Sequence, residues 1–147
     1  MRRAPEALPE EVVGLLAPFF PGFDLARIRI LEGIPFYVLG NPIGYADRNR
    51  IYFEPGACRL DTIDGLSLLA HEIAHCRQYQ VLGTWRFRLR YLRFYFANRR
   101  RGLSRSEAYL NIPFEIEARE VEARVHLALR RLQQELWELD RSKAMSL

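Results

Sequence analysis

Five consecutive residues carry the sharpest chemistry in this chain: His71-Glu72-Ile73-Ala74-His75. On a helix, residues four apart lie one turn apart on the same face, so both imidazoles can reach one small cation. Zinc accepts neutral imidazole nitrogen in a roughly tetrahedral shell. Glu72 stands one residue from His71 and three from His75, beside such an ion rather than bound to it. A carboxylate in that place can take a proton from a metal-bound water. The chain holds three histidines, and two of them fall in this string.

Two imidazoles leave zinc short of donors, and a catalytic site needs a third protein ligand with the fourth position left to water. The segment Asn111-Ile-Pro-Phe-Glu-Ile-Glu-Ala-Arg-Glu offers Glu115 and Glu117 in the first turns of a downstream helix. Glu115 adjoins the apolar positions Phe114 and Ala118, so it can point inward at another helix. His126 lies eleven residues beyond Glu115, roughly 16 Å along a helix, so those two cannot share one ion. The order of preference is Glu115, then Glu117, then His126. Tyr109, Arg119 and Tyr79 are candidates for an oxyanion donor, and the sequence does not choose among them.

Several elements must position these groups. Pro9 to Phe20 reads as a short helix with Pro9 at its first position and Glu10 and Glu11 in its first turn. From Ala26 to Leu31 the string alternates, with Ile28 and Ile30 on one face, as in a half-buried strand. Ile34–Leu39 and Asn49–Glu54 read as two further strands. The H-E-x-x-H helix starts near Asp61 or Asp64, either of which can cap it, and ends at Gly83. Leu66, Leu68, Leu69, Ala70, Ile73 and Ala74 give it a continuous core segment. A further helix from a Thr84 cap runs to Gly102, and Ser104–Tyr109 makes a helical turn. A long helix from Pro113 to about Asp140 carries the stripe Phe114, Ala118, Val121, Val125, Leu129, Leu132 and Leu136. The expected fold is α+β, with a small antiparallel sheet of about three strands.

The strings HEIAHCRQY and IPFEIEARE together resemble the gluzincin type of zinc metallopeptidase, and more narrowly its small, mostly uncharacterised bacterial branch. The likeness runs from about Gly44 to Ala123 and includes NRIYFEPGACRLD before the motif helix. It implies a single zincin-like minimal domain over 1–147, with the long C-terminal helix carrying the third ligand. By the same resemblance His71, His75 and Glu115 are zinc ligands, Glu72 is the general base, and Ile51–Phe53 is the sheet edge along which a peptide lies. One position departs from the pattern. Related families often carry Asp or Asn four residues after the third ligand, and here that residue is Arg119. An arginine cannot accept a hydrogen bond from a ligand imidazole, so the outer shell falls to Glu122 or a backbone carbonyl.

Composition sets the frame. The chain has 147 residues, 49% hydrophobic and 27% charged, which excludes a disordered tail and a disulfide-stapled miniprotein. Two cysteines, Cys58 and Cys76, make no framework and read as reduced, buried thiols. The N-terminal stretch lacks the apolar region of a signal peptide, and no apolar run is long enough to span a bilayer, so a soluble cytoplasmic protein is expected.

The net charge of +4 is mild, but it is unevenly placed. No acid occurs between Glu72 and Glu107, while nine arginines do, interleaved with Trp85, Phe87, Tyr91, Phe94, Tyr95 and Phe96. On a helix Arg86, Arg90 and Arg93 line up, and Trp85, Leu89, Leu92 and Phe96 form a separate stripe. A packed amphipathic helix with a solvated arginine face is the plainest reading. A helix lying on an anionic membrane and a phosphate-binding patch for nucleic acid or an acidic partner are the others. Two functions are therefore expected in competition. One is a zinc-dependent metallopeptidase acting on a peptide or protein. The other is a non-catalytic, zinc-stabilised module that binds an anionic partner through this helix.

Overall fold

The computed structural model describes residues 4–146. In chain order they form β1 (Glu6–Ala7), α1 (Glu10–Leu16), β2 (Arg29–Glu32), β3 (Gly44–Asp47), β4 (Arg50–Phe53), α2 (Ile63–Leu82), α3 (Thr84–Arg100), α4 (Arg105–Leu110) and α5 (Pro113–Met145). The class is α+β, a small sheet with long helices.

The sheet differs from expectation in number, direction and edge. It has four strands in the order β1-β2-β4-β3 and is mixed: β2 pairs parallel with β4, and the other two pairings are antiparallel. The run Ile34–Leu39 is not a strand. Gly33 and Gly40 bracket it in left-handed backbone, Pro35 supplies no donor, and Phe36 and Leu39 face solvent. A strand that the sequence did not announce, β3, follows instead. It joins β4 through the two-residue turn Arg48-Asn49, and Arg48 takes φ +58° there. Strand β4 returns between β3 and β2, so Ile51–Phe53 is interior, and β3 and β1 are the edges. The burial agrees: Ile51, Tyr52 and Phe53 are all buried.

Element ends shift where a local hydrogen bond competes with the pattern. The Asp24 side chain accepts from the Ala26 amide and holds Leu25–Arg27 in a 3-10 turn, so β2 starts three residues later than the alternation suggests. Pro9 is the N-cap of α1 rather than its first helical residue, and the helix passes into a 3-10 turn at Ala17–Phe19. Neither Asp61 nor Asp64 caps α2. Thr62 does, accepting from the Gly65 amide at 3.0 Å. Thr84 is the first residue of α3, with Gly83 as its N-cap. Gly65 has a second constraint: a Cβ there would stand 1.9 Å from the Arg59 carbonyl oxygen.

Helix α2 lies at the centre, packed mainly on α5 and on β3. Leu69, Ala70 and Ile73 from α2, Ile51 from β4, Leu16 from α1 and Val125 from α5 are fully buried in one core. Leu68 is only half-buried at its margin. The α5 stripe is buried from Ala118 to Leu129, but Leu132 and Leu136 are exposed, and every described residue from Arg130 onward faces solvent. Cys76 is buried and Cys58 half-buried, both free. No described helix is long and apolar enough to cross a membrane.

The inward face of α3 is Phe87 and Asn98 with the half-buried Tyr91. The other stripe, Trp85, Leu89, Leu92 and Phe96, is exposed along its length.

Candidate metal centre

His71 and His75 sit one turn apart on α2, with ring centroids 5.0 Å apart. Glu115 enters from the first turn of α5. Pro113 opens that helix, and the buried Ile112 and Ala118 turn this side of it inward. His71 Nε2 is 3.4 Å from Glu115 Oε2, and His75 Nε2 is 3.3 Å from Glu115 Oε1. One donor atom from each residue can be chosen with all three within 4.8 Å of one another. These residues could hold a metal ion.

The spacing and chemistry fit a zinc-like cation. Donors bound at 2.0–2.1 Å around a tetrahedral ion stand about 3.3 Å from each other. The Glu115 carboxylate is buried, and its Oε2 has no hydrogen-bond partner although it faces an imidazole nitrogen. A buried carboxylate oxygen left so is costly unless a cation meets it. The electrostatics without metal run the same way. Burial would raise the Glu115 carboxyl, but the two imidazoles hold it well below the usual carboxylate range. Burial opposes charge on His71, yet Glu115 and Glu122 together push its pKa up to about 9.

The remaining ring nitrogens are occupied. His71 Nδ1 is 2.9 Å from Glu122 Oε2, so Glu122 supplies the outer contact that Arg119 cannot. His75 Nδ1 is 2.9 Å from Gln78 Oε1. Gln78 Nε2 donates to the Phe114 carbonyl at 3.0 Å and to Glu117 Oε2 at 3.1 Å. Such contacts fix ring orientation and leave each Nε2 directed at the shared point. Glu117 is therefore one contact removed from the imidazoles, on Gln78. His126 is elsewhere, with Nδ1 at 3.5 Å from both Ser67 Oγ and Asp64 Oδ1.

The three oxyanion candidates separate. Tyr79 is buried with its ring 4.2 Å from that of Phe87. Arg119 donates to the Leu110 carbonyl. Tyr109 is partly exposed, and burial, with the nearby Glu115 charge second, pushes its hydroxyl pKa up. Tyr91 was not foreseen. Its hydroxyl donates to Glu115 Oε1 at 2.7 Å from the inner face of α3. The signal was present as the inward pair Phe87 and Tyr91, four apart, but the more obvious apolar stripe of α3 is the one that faces solvent.

Glu72 is buried, and burial pushes its carboxyl pKa up. Its side chain lies against Gly44 on the edge strand, where a Cβ would stand 2.6 Å from Glu72 Oε1. Only glycine leaves room for the carboxylate at this point. A Gly44→Ala variant is expected to keep the fold and its metal content but displace Glu72. If Glu72 acts as the general base, turnover falls about tenfold or more, since small misplacements of a reacting group are costly. Wild-type turnover alongside normal metal content would show that this close approach is not needed.

Edge strand and third helix are tied together. Arg88 Nη2 on α3 donates to the buried Asp47 Oδ1 on β3 at 2.9 Å. The groups with chemistry are thus bounded by β3 on one side and by the Phe87–Tyr91 face of α3 on another.

A protein-family model described as the eCIS core domain matches residues 7–82. No gluzincin or other metallopeptidase family matches the chain. No curated protein and no solved structure matches the chain.

Proposed function

This chain belongs to the eCIS core domain family, shown over residues 7–82, and from the cluster around His71 we propose that it is a zinc-dependent metallopeptidase. The matched segment contains β2, β3, β4 and the whole H-E-x-x-H helix, but Glu115 lies beyond it. Membership in the eCIS core domain family supports a multi-protein assembly as the setting in which the proposed enzyme works.

The observation that carries this reading is the convergence of two imidazole Nε2 atoms on the two oxygens of one buried carboxylate, at 3.4 and 3.3 Å. Beside them is a second buried carboxylate, that of Glu72, which supplies none of the three donors. The arrangement resembles a zincin-like, gluzincin-type site. It has three protein donors and a separate acid–base group.

His71, His75 and Glu115 would hold the ion. Zinc in such a site polarises a carbonyl oxygen and makes water acidic enough to lose a proton near neutrality. Glu72 accepts the proton of the attacking water as the new C–O bond forms. It then gives a proton to the departing amine nitrogen as the C–N bond breaks, so the water is consumed and Glu72 is regenerated. Gln78 and Glu122 keep the two rings turned toward the ion, and Tyr91 holds Glu115 by its Oε1.

Chelator-stripped protein is expected to lose hydrolysis of an unstructured peptide mixture and regain it on stoichiometric zinc. Zinc-loaded, folded protein that cleaves no peptide, alone or with its assembly, would overturn the proposal.

A further inference from the structure

The outer face of α3 is unused by the site. Phe87 and Tyr91 point toward the metal cluster. On the far side Trp85, Leu89, Leu92 and Phe96 project into solvent at 81%, 61%, 52% and 56% exposure. Their spacing of four, three and four residues keeps them on one narrow stripe, because a helix turns once per about 3.6 residues. On that same helical count Arg99 borders one side of the stripe, and Arg86, Arg93 and Arg100 border the other; all four are exposed. No acidic side chain lies in α3 or within eleven residues before it.

Exposed aromatic and aliphatic side chains in a row cost free energy in water, and soluble surfaces rarely keep them together. The charge says what covers them. A partner must accept apolar groups along its centre and carry negative charge on both flanks. A lipid bilayer with anionic headgroups has that layout, because headgroups meet the arginines while acyl chains receive the stripe. Nucleic acid does not, since its phosphates would meet the apolar centre.

We propose that α3 is an interfacial helix that docks this protein on an anionic lipid surface through Trp85, Leu89, Leu92 and Phe96, with the flanking arginines on the headgroups. The helix then has two working faces. One donates to Glu115 and the other meets lipid, so the cluster is held close to the membrane plane. The proposal does not depend on hydrolysis.

The full-length protein, with Trp137→Phe to leave Trp85 as the single tryptophan, is mixed with vesicles of phosphatidylcholine alone or of phosphatidylcholine with phosphatidylglycerol. Cosedimentation with the anionic vesicles and a blue shift of Trp85 emission are expected, with little binding to the neutral ones. Leu89→Gln with Leu92→Gln should keep the melting temperature and lower partitioning about tenfold or more, and Arg86→Glu with Arg93→Glu should do the same, given about 1 kcal/mol per basic residue. The proposal fails if no vesicle binds. It fails equally if the Leu→Gln pair binds like wild type while charge reversal abolishes binding, which marks plain electrostatic adhesion. Tighter binding to duplex DNA without a blue shift would assign the face to nucleic acid instead.

Discussion

Glu72→Gln is expected to lower peptide hydrolysis by about 10²- to 10⁴-fold, the range that a positioned acid–base group contributes. It should leave bound zinc and the melting temperature almost unchanged. The amide has the shape of the carboxylate, so it keeps the packing against Gly44. It is also not one of the three donors that converge on a common point. Purified variant and wild type would be compared for metal by elemental analysis and for turnover on one peptide. The pairing of full zinc with lost turnover distinguishes a catalytic carboxylate from a structural one. Equal turnover in both proteins would remove Glu72 from the mechanism and leave the site as a staple.

Glu115→Ala is expected to abolish stoichiometric zinc. It deletes one of three protein donors, which costs more than the roughly 10- to 100-fold that follows loss of an outer contact. It also leaves two imidazole nitrogens and the Tyr91 hydroxyl without their buried partner. Glu117→Ala should retain zinc, with an affinity loss of no more than about tenfold. Its only role at the site is to accept from Gln78 Nε2, which keeps the Phe114 carbonyl. Titration of stripped protein with zinc, read by competition with a chromogenic chelator, separates the two variants. Zinc kept by Glu115→Ala and lost by Glu117→Ala would reverse the assignment.

The candidate cluster was legible because helical geometry is local. His71 and His75 share a face by spacing alone, and Glu115 was marked by the apolar neighbours that turn it inward. Choosing Glu115 over Glu117 follows from the same helical phase, since two residues along a helix place a side chain nearly opposite. The outer contacts were half legible. Glu122 is one of the two outer-shell sources the sequence offers, without saying which imidazole it meets, and Gln78 is not among them because a glutamine one turn from a histidine has no signature.

The sheet was read less well. Its edge was assigned to Ile51–Phe53, while β4 in fact lies between β2 and β3. Nothing in that string reports a parallel neighbour. Pairing depends on where the chain returns after the long connection between β2 and β4, which is a long-range property. The need for glycine at position 44 appears only when Glu72 arrives from α2.

By itself the sequence determined the helices, the two-imidazole face with its carboxylate, the inward Glu115 and the concentration of arginine on α3. These depend on contacts within one or two turns, and 3.6 residues per turn is enough to predict them. Only the tertiary structure decided strand order, the seat of Glu72 on Gly44, the grip of Tyr91 on Glu115, and which stripe of α3 is left to solvent. Both α3 stripes are apolar enough to be buried. The one that packs is chosen by the shape of α2 and α5 beneath it, and no local pattern encodes that choice.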